Sequence, residues 1–295
     1  GIDISTGNAV NITLSNTVSK SSIESEVINL ANINTTPITT VISSIIKKTV
    51  SSTNSVGTLD FTSIDLDSII STSKTKVAGI FGLDVDDLGD NYLGTGNTDL
   101  AKKAIMISTV VNSISNAVTS NTASSFSPDL AFESLVNVLY NIDTVSGETF
   151  DLSDSTNMES VLTDINTNNE NITLDTTVIT NISSLITSIS STLDSIDSNS
   201  DIESVMSSLT KLSQGAINVL TDTNNIIDYT SDTFTSSDIV TNIETNAATI
   251  QLLTIIPAQY TLTTVCTTAS TTASTTASTT ASTTAFTTAS TTTCT

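Results

Sequence analysis

Residues 98–118 read TDLAKKAIMISTVVNSISNAV, and Leu100, Ala104, Ile107, Val111, Ile114 and Val118 recur in them at alternating steps of four and three. That spacing puts the six side chains on one face of an α-helix, because 3.6 residues make a turn. Thr98 or Asp99 is the expected N-cap, its side-chain oxygen accepting a free amide of the first turn.

The same period recurs on both sides of this stretch. Ser127-Pro128 pairs a capping residue with a proline suited to the first helical position, and Leu130, Ala131, Phe132, Leu135, Val138 and Leu139 follow it. Pro37 opens another helix in the same way, with Val41, Ile42, Ile45, Ile46 and Val50 as its stripe and Lys47 and Lys48 late, where cations suit the helix dipole. Two long helices are expected from Val178, Ile182, Leu185, Ile189, Leu193 and Ile196 and from Ile202, Val205, Leu209, Leu212, Ala216 and Leu220, as an antiparallel pair about the polar turn 197–200. A last helix is expected over 237–255, with Ile239, Ile243, Ala247, Ile250 and Leu253 inward and Pro257 ending it. Ser, Thr and Asn are poor helix formers, so these helices need one another's apolar stripes to be stable. The fold class expected is mainly α: a bundle of Ser/Thr-rich amphipathic helices over 36–256.

Two flanking regions differ. In residues 1–35 the alternation Val10-Asn11-Ile12-Thr13-Leu14 fits an extended segment, either an edge strand or a connector. In 257–295 the chain falls into tetrads, TTAS above all, and a period of four is commensurate with the strand period of two. A flexible O-glycosylated stalk, a strand repeat that pairs with neighbours, and a ranked Thr array of the ice-binding kind all remain open for this tail. Cys266 and Cys294 are the two cysteines and bracket the repeat, which fits either a disulfide formed in an oxidising compartment or two free thiols.

Composition restricts the chemistry. The chain has no His and no Trp, and all of its 8 basic residues are Lys. It therefore lacks the imidazole that moves protons near neutral pH and the guanidinium fork that grips phosphate or carboxylate. No G-x-S-x-G elbow is present, and a Ser-His-Asp scheme is impossible without His. The expectation is a chain that is not an enzyme. A net charge of −22 sets it against nucleic acid and anionic membranes as partners. No run approaches the roughly eighteen apolar residues of a membrane span. Gly1 opens the chain without a Met or an apolar leader, as in a processed mature chain or a fragment.

The most acidic stretch, Asp84-Val85-Asp86-Asp87-Leu88-Gly89-Asp90, has the alternating carboxylates that open a calcium loop, and Asp84, Asp86, Asp87 and Asp90 are the candidate metal ligands. Leu88 and Thr95 stand where an EF-hand has an Asp or Asn and its bidentate Glu, so a solvated loop is the competing reading. Gly94-Thr95-Gly96 reads as a turn.

Thr36-Pro37-Ile38-Thr39-Thr40, then Lys76-Val77-Ala78-Gly79-Ile80-Phe81-Gly82-Leu83 before the acidic loop, then Leu212-Ser213-Gln214-Gly215-Ala216 in a late helix, together resemble a helical module of very large bacterial surface proteins and adhesins. That module often accompanies cadherin-like or calcium-binding repeats. The resemblance covers roughly residues 35–255, with Ser, Thr, Ile and Asn in places where the family is usually Ala-rich. It implies export to the cell surface, a role in adhesion or assembly, and no catalytic residues. The expected function is an extracellular structural or adhesive protein, a subunit of a filament, sheath or S-layer or a stalk segment of an adhesin. Its partners would be further copies or other surface proteins. A module that binds glycans or a host surface is the alternative, weakened by the scarcity of aromatic residues for stacking on sugars.

Overall fold

A computed structural model describes residues 13–17, 34–53, 65–122, 125–145, 147–224 and 226–251, all within the unit Gly1–Leu252. The described residues are mainly helical and contain no strand. In chain order the α-helices are α1 (Pro37–Thr53), α2 (Leu66–Phe81), α3 (Tyr92–Thr95), α4 (Thr98–Asn121), α5 (Pro128–Asn141), α6 (Ser155–Asn168), α7 (Thr176–Asp194), α8 (Ile202–Leu220) and α9 (Ser236–Thr249), with a 3₁₀ turn at Asp87–Gly89.

Most of these helices start on a side chain that accepts a main-chain N–H of the first turn. Asp65, Asn91, Asn97, Ser127, Asp154, Asp175 and Asp201 do so for α2 to α8 in order. At α1 the Thr39 N–H donates to Thr36 Oγ1 at 3.1 Å, and the Thr36 N–H donates to Thr39 Oγ1 at 2.8 Å. This reciprocal pair orients the chain for Pro37. The cap of α4 is Asn97 rather than Thr98 or Asp99, because its amide oxygen is the one that reaches the Leu100 N–H, at 3.0 Å.

Helix α4 lies at the centre, packed on by α1, α3, α5, α7 and α8. Its expected stripe is buried, and so is much of the rest of its surface: Ala101, Ile105, Met106, Thr109, Val110, Ser113, Ser115 and Ala117 are also inside. No residue from Leu100 to Val118 is exposed. Three half-exposed positions, Ser108, Asn112 and Asn116, are polar and spaced by four, so its polar face is narrow and its apolar surface unusually broad. Thr109 meets the need for polar satisfaction by donating to the Ile105 carbonyl at 2.8 Å, and its oxygen pairs with Ser213 Oγ of α8 at 2.9 Å.

Around α4, α6 bridges α5 and α7, α2 lies on α1, and α9 covers α7 and α8. The helices α7 and α8 touch only slightly, although a short turn joins them. The expected α7–α8 pair is thus replaced by an arrangement in which α4 and α9 each contact both helices. The apolar surface of α4 is broad enough to take both helices at once.

Several expectations shift in detail. α1 runs on to Thr53, so Lys47 and Lys48 fall short of its last turn. α9 ends at Thr249 with Ile250 in extended geometry, and Ile243 and Ala247 are its buried residues. Leu130, counted in the stripe of α5, is 38% exposed. Thr13–Thr17 lie against α1 and α5 and form no strand, there being no neighbouring strand among the described residues to pair with. Helices α2 and α6 emerge in addition; α6 buries Met158, Val161, Leu162 and Ile165, an i, i+3, i+4, i+7 set. Leu253, Pro257, the tail repeat, Cys266 and Cys294 lie outside the described residues.

Helices α8 and α9 approach closely at Gly215, where a Cβ would stand 2.7 Å from the Ile243 carbonyl oxygen of α9. Gly79, in the exposed part of α2, has nothing within 4 Å of that position. Thermal unfolding should separate the two: Gly215→Ala costs about 1–3 kcal/mol by forcing α8 and α9 apart. Gly79→Ala gains about 0.5–1 kcal/mol by relieving the helix of a glycine. Equal shifts at both positions would contradict the close α8–α9 contact.

Candidate functional site

The acidic loop begins where α2 stops. Gly82, at a φ of 66°, closes the helix in the left-handed conformation, and its N–H donates to the Ala78 carbonyl. Asp84 Oδ1 then accepts the Asp86 N–H at 2.9 Å, and the 3₁₀ turn follows. Leu88 is 1% exposed and anchors that turn in the core beneath α1. It occupies the place where a calcium loop needs an oxygen, so the loop is held by apolar burial there.

Two of the four carboxylates, those of Asp84 and Asp87, are turned toward protein donors. Asp87 Oδ2 accepts from Asn97 Nδ2 at 2.9 Å, tying the loop to the cap of α4, and Asn34 Nδ2 donates to the Gly89 carbonyl at 2.9 Å. Asp84, Asp86, Asp87 and Asp90 share one short turn, yet no group of three or more His, Cys, Asp or Glu side chains is placed to hold a metal ion among the described residues.

The same use of acidic side chains extends through the chain. Asp84, Asp143, Asp151, Asp197, Asp222 and Asp228 each accept the N–H two residues on. This Asx-turn geometry closes the corners between helices. Hydrogen bonds from Asn199 hold Asp197 below the usual carboxylate range, bonds from Ser204 do the same for Asp201, and bonds from Thr230 for Asp228.

Lysines serve the opposite helix ends. Lys102, 7% exposed, donates from Nζ to the carbonyls of Asp194 at 2.9 Å and Ile196 at 2.7 Å, closing the C-terminus of α7. Lys103 pairs with the Asp194 carboxylate at 3.4 Å. Lys76 of α2 donates to the Tyr140 carbonyl at the end of α5 and stands 5.6 Å from the centre of the Tyr140 ring. Burial pulls the pKa of Lys76 below its ordinary 10.5. These roles are missing from the sequence reading, although a signal exists: Lys102 and Lys103 sit in the first turns of α4, where a cation opposes that helix's own dipole. Their place there makes sense once the last carbonyls of α7 come within reach.

The three Asp groups with lowered values bind protons more weakly in the folded chain than in the unfolded one, near 3.8. Their contribution is present above the unfolded value and is lost as pH falls through the lower folded values. Stability should therefore decline in acid below about pH 4. The triple variant Asp197→Asn, Asp201→Asn and Asp228→Asn keeps an accepting oxygen but cannot titrate, so its denaturant midpoint should fall less steeply across that range. Replacing Lys102 by Ala removes a charged donor from two part-buried carbonyl bonds and should cost about 1.5–3 kcal/mol in chemical denaturation; a loss within error would remove its capping role.

No family model matches the chain, and neither a curated protein nor a solved structure matches it.

Proposed function

We propose that the chain is an extracellular structural or adhesive surface protein, a subunit of a filament, sheath or S-layer or a stalk segment of a larger adhesin. The observation that carries this reading is where its charged side chains point. The Asp caps and Asx turns bind backbone N–H groups, and Lys76 and Lys102 bind backbone carbonyls, so these ionic groups hold helix ends in place. An enzyme or small-ligand module instead converges titratable groups on a shared cleft.

Two further features support the reading. No helix among the described residues is long and apolar enough to cross a membrane. The surface is strongly acidic and rich in hydroxyls, with a net charge of −22 that favours solubility outside a lattice and responds to divalent cations. The resemblance to helical modules of large bacterial surface proteins points the same way, toward adhesion or assembly.

Electron microscopy and light scattering of the purified chain, at rising concentration with and without calcium, test the proposal. Filaments or two-dimensional lattices are expected for a subunit. A chain that stays monomeric throughout excludes the filament, sheath and S-layer forms and leaves the stalk.

A further inference from the structure

Asn-x-Ser/Thr sequons stand at Asn11, Asn34, Asn171 and Asn181. A sequon accepts a sugar through two side chains, the asparagine amide that takes the saccharide and the hydroxyl two residues on that completes the acceptor, and a chain that carries the sugar must leave both outside its fold. Asn11 lies outside the described residues. At Asn34 the amide donates to the Gly89 carbonyl at 2.9 Å, and the Thr36 hydroxyl, 8% exposed, accepts the Thr39 N–H in the cap of α1. At Asn181, within α7, Nδ2 donates to the carbonyls of Tyr229 at 2.9 Å and Ser231 at 3.1 Å. Its partner Ser183 is 1% exposed and donates to the Thr180 carbonyl at 3.0 Å. Both of these sequons are built into the fold.

Asn171 is placed differently, in the connection between α6 and α7. The Ile172 N–H donates to the Asn169 carbonyl at 2.9 Å, closing a turn with Glu170 and Asn171 at its corner. Asn166 of α6 holds the far side, its Oδ1 accepting the Leu174 N–H at 2.8 Å. Ile172 and Leu174 are buried, whereas Asn171 and Thr173 are exposed. With alternate residues anchored inside, Asn171 and Thr173 share the outer side, and neither side chain has a hydrogen bond among the described residues. The amide and the hydroxyl of this sequon are therefore presented together, on a turn whose hold on the core does not depend on either.

We infer that Asn171 is a glycosylation site, the acceptor for a saccharide carried on a lipid diphosphate. Its Nδ2 forms a bond to the anomeric carbon of the sugar, and the bond from that carbon to the diphosphate oxygen breaks. The lipid diphosphate leaves and the amide gives up one proton. The attached sugar is bulky and hydrophilic, so the α6–α7 corner faces solvent when chains assemble and contacts between copies lie elsewhere. This inference rests on the extracellular reading proposed above and adds a modified face to it.

Glycopeptide mass spectrometry of the full chain, isolated from the surface of the cells that make it, tests the site. The expected result is a saccharide on Asn171 in most chains and none on Asn34 or Asn181. Thr173→Ala, made in the same cells, should reduce the sugar at Asn171 to background and leave the thermal midpoint at that of the enzymatically deglycosylated parent, since the Thr173 side chain has no partner to lose. A chain at the cell surface with Asn171 bare overturns the inference and leaves the proposed function standing. Sugar on Asn181 as often as on Asn171, or sugar that persists on Asn171 in Thr173→Ala, overturns it as well. A chain found only inside the cell removes the proposed function and this site with it.

Discussion

The deep burial of α4 from Ala104 to Val118, on every face except the half-exposed stripe of Ser108, Asn112 and Asn116, is the constraint on which the rest of this fold depends. A hydroxyl on the buried faces of such a helix needs a partner within the protein, since an unpaired buried group costs as much as several methylene burials regain; Ser113 Oγ has none among the described residues. Hydroxyls that bond back to the carbonyl four residues earlier meet this condition with their own helix. Thr109 does so within α4, and Thr49, Thr75, Ser160, Ser188, Thr192, Thr221, Thr241 and Thr245 do so in the surrounding helices. Such back-bonding bends and slightly weakens an isolated helix. At Thr109, which lies in the core, the hydroxyl hides its proton in this way and presents a small, mostly apolar surface to its neighbours.

Helix ends pose the complementary problem, because the first amides and last carbonyls have no partners in their own helix. Acidic side chains supply the acceptors at N-termini and corners, and Lys76 and Lys102 supply donors at the C-termini of α5 and α7. The high negative charge of the sequence therefore has a structural origin in part. A carboxylate accepts the amides of a turn through charge-assisted bonds, and a chain with this many short connections has many turns to close. Glu148 follows the same logic, its carboxylate accepting the Asp143 N–H at 2.8 Å. With so many carboxylates occupied by the backbone, the acidic loop at Asp84–Asp90 belongs to this architecture: Asp84 and Asp87 accept protein N–H groups, and Leu88 reaches the core.

The helices that could be read directly are those whose apolar residues are dense enough to show their period. α1, α4, α5, α7, α8 and α9 carry Ile, Val and Leu at steps of three and four, and Pro37 and Pro128 mark two of their starts. α2 and α6 escaped because hydroxyls dilute the pattern. In α2 the buried face includes Ser73 between Ile70 and Val77, and α6 has only four buried side chains in fourteen residues. Their aspartate caps, Asp65 and Asp154, were visible but are indistinguishable from the other acidic residues without the helix behind them. Of the acidic loop, the ligand-like spacing was legible, whereas the inward turn of Leu88 was not.

The sequence by itself determined the helical class, the positions of most helix starts, and the exclusion of imidazole and guanidinium chemistry, because each follows from local periodicity or from composition. Tertiary structure alone decided that α4 is central, that α7 and α8 barely touch each other, that Lys102 closes a helix ending ninety-two residues away, and that Thr13–Thr17 lie against α1 and α5. These are choices among partners, and a period of 3.6 says which face of a helix is apolar without saying what will cover it. The covering is settled by the total area buried and by which polar groups find each other across long separations, and both are properties of the assembled chain.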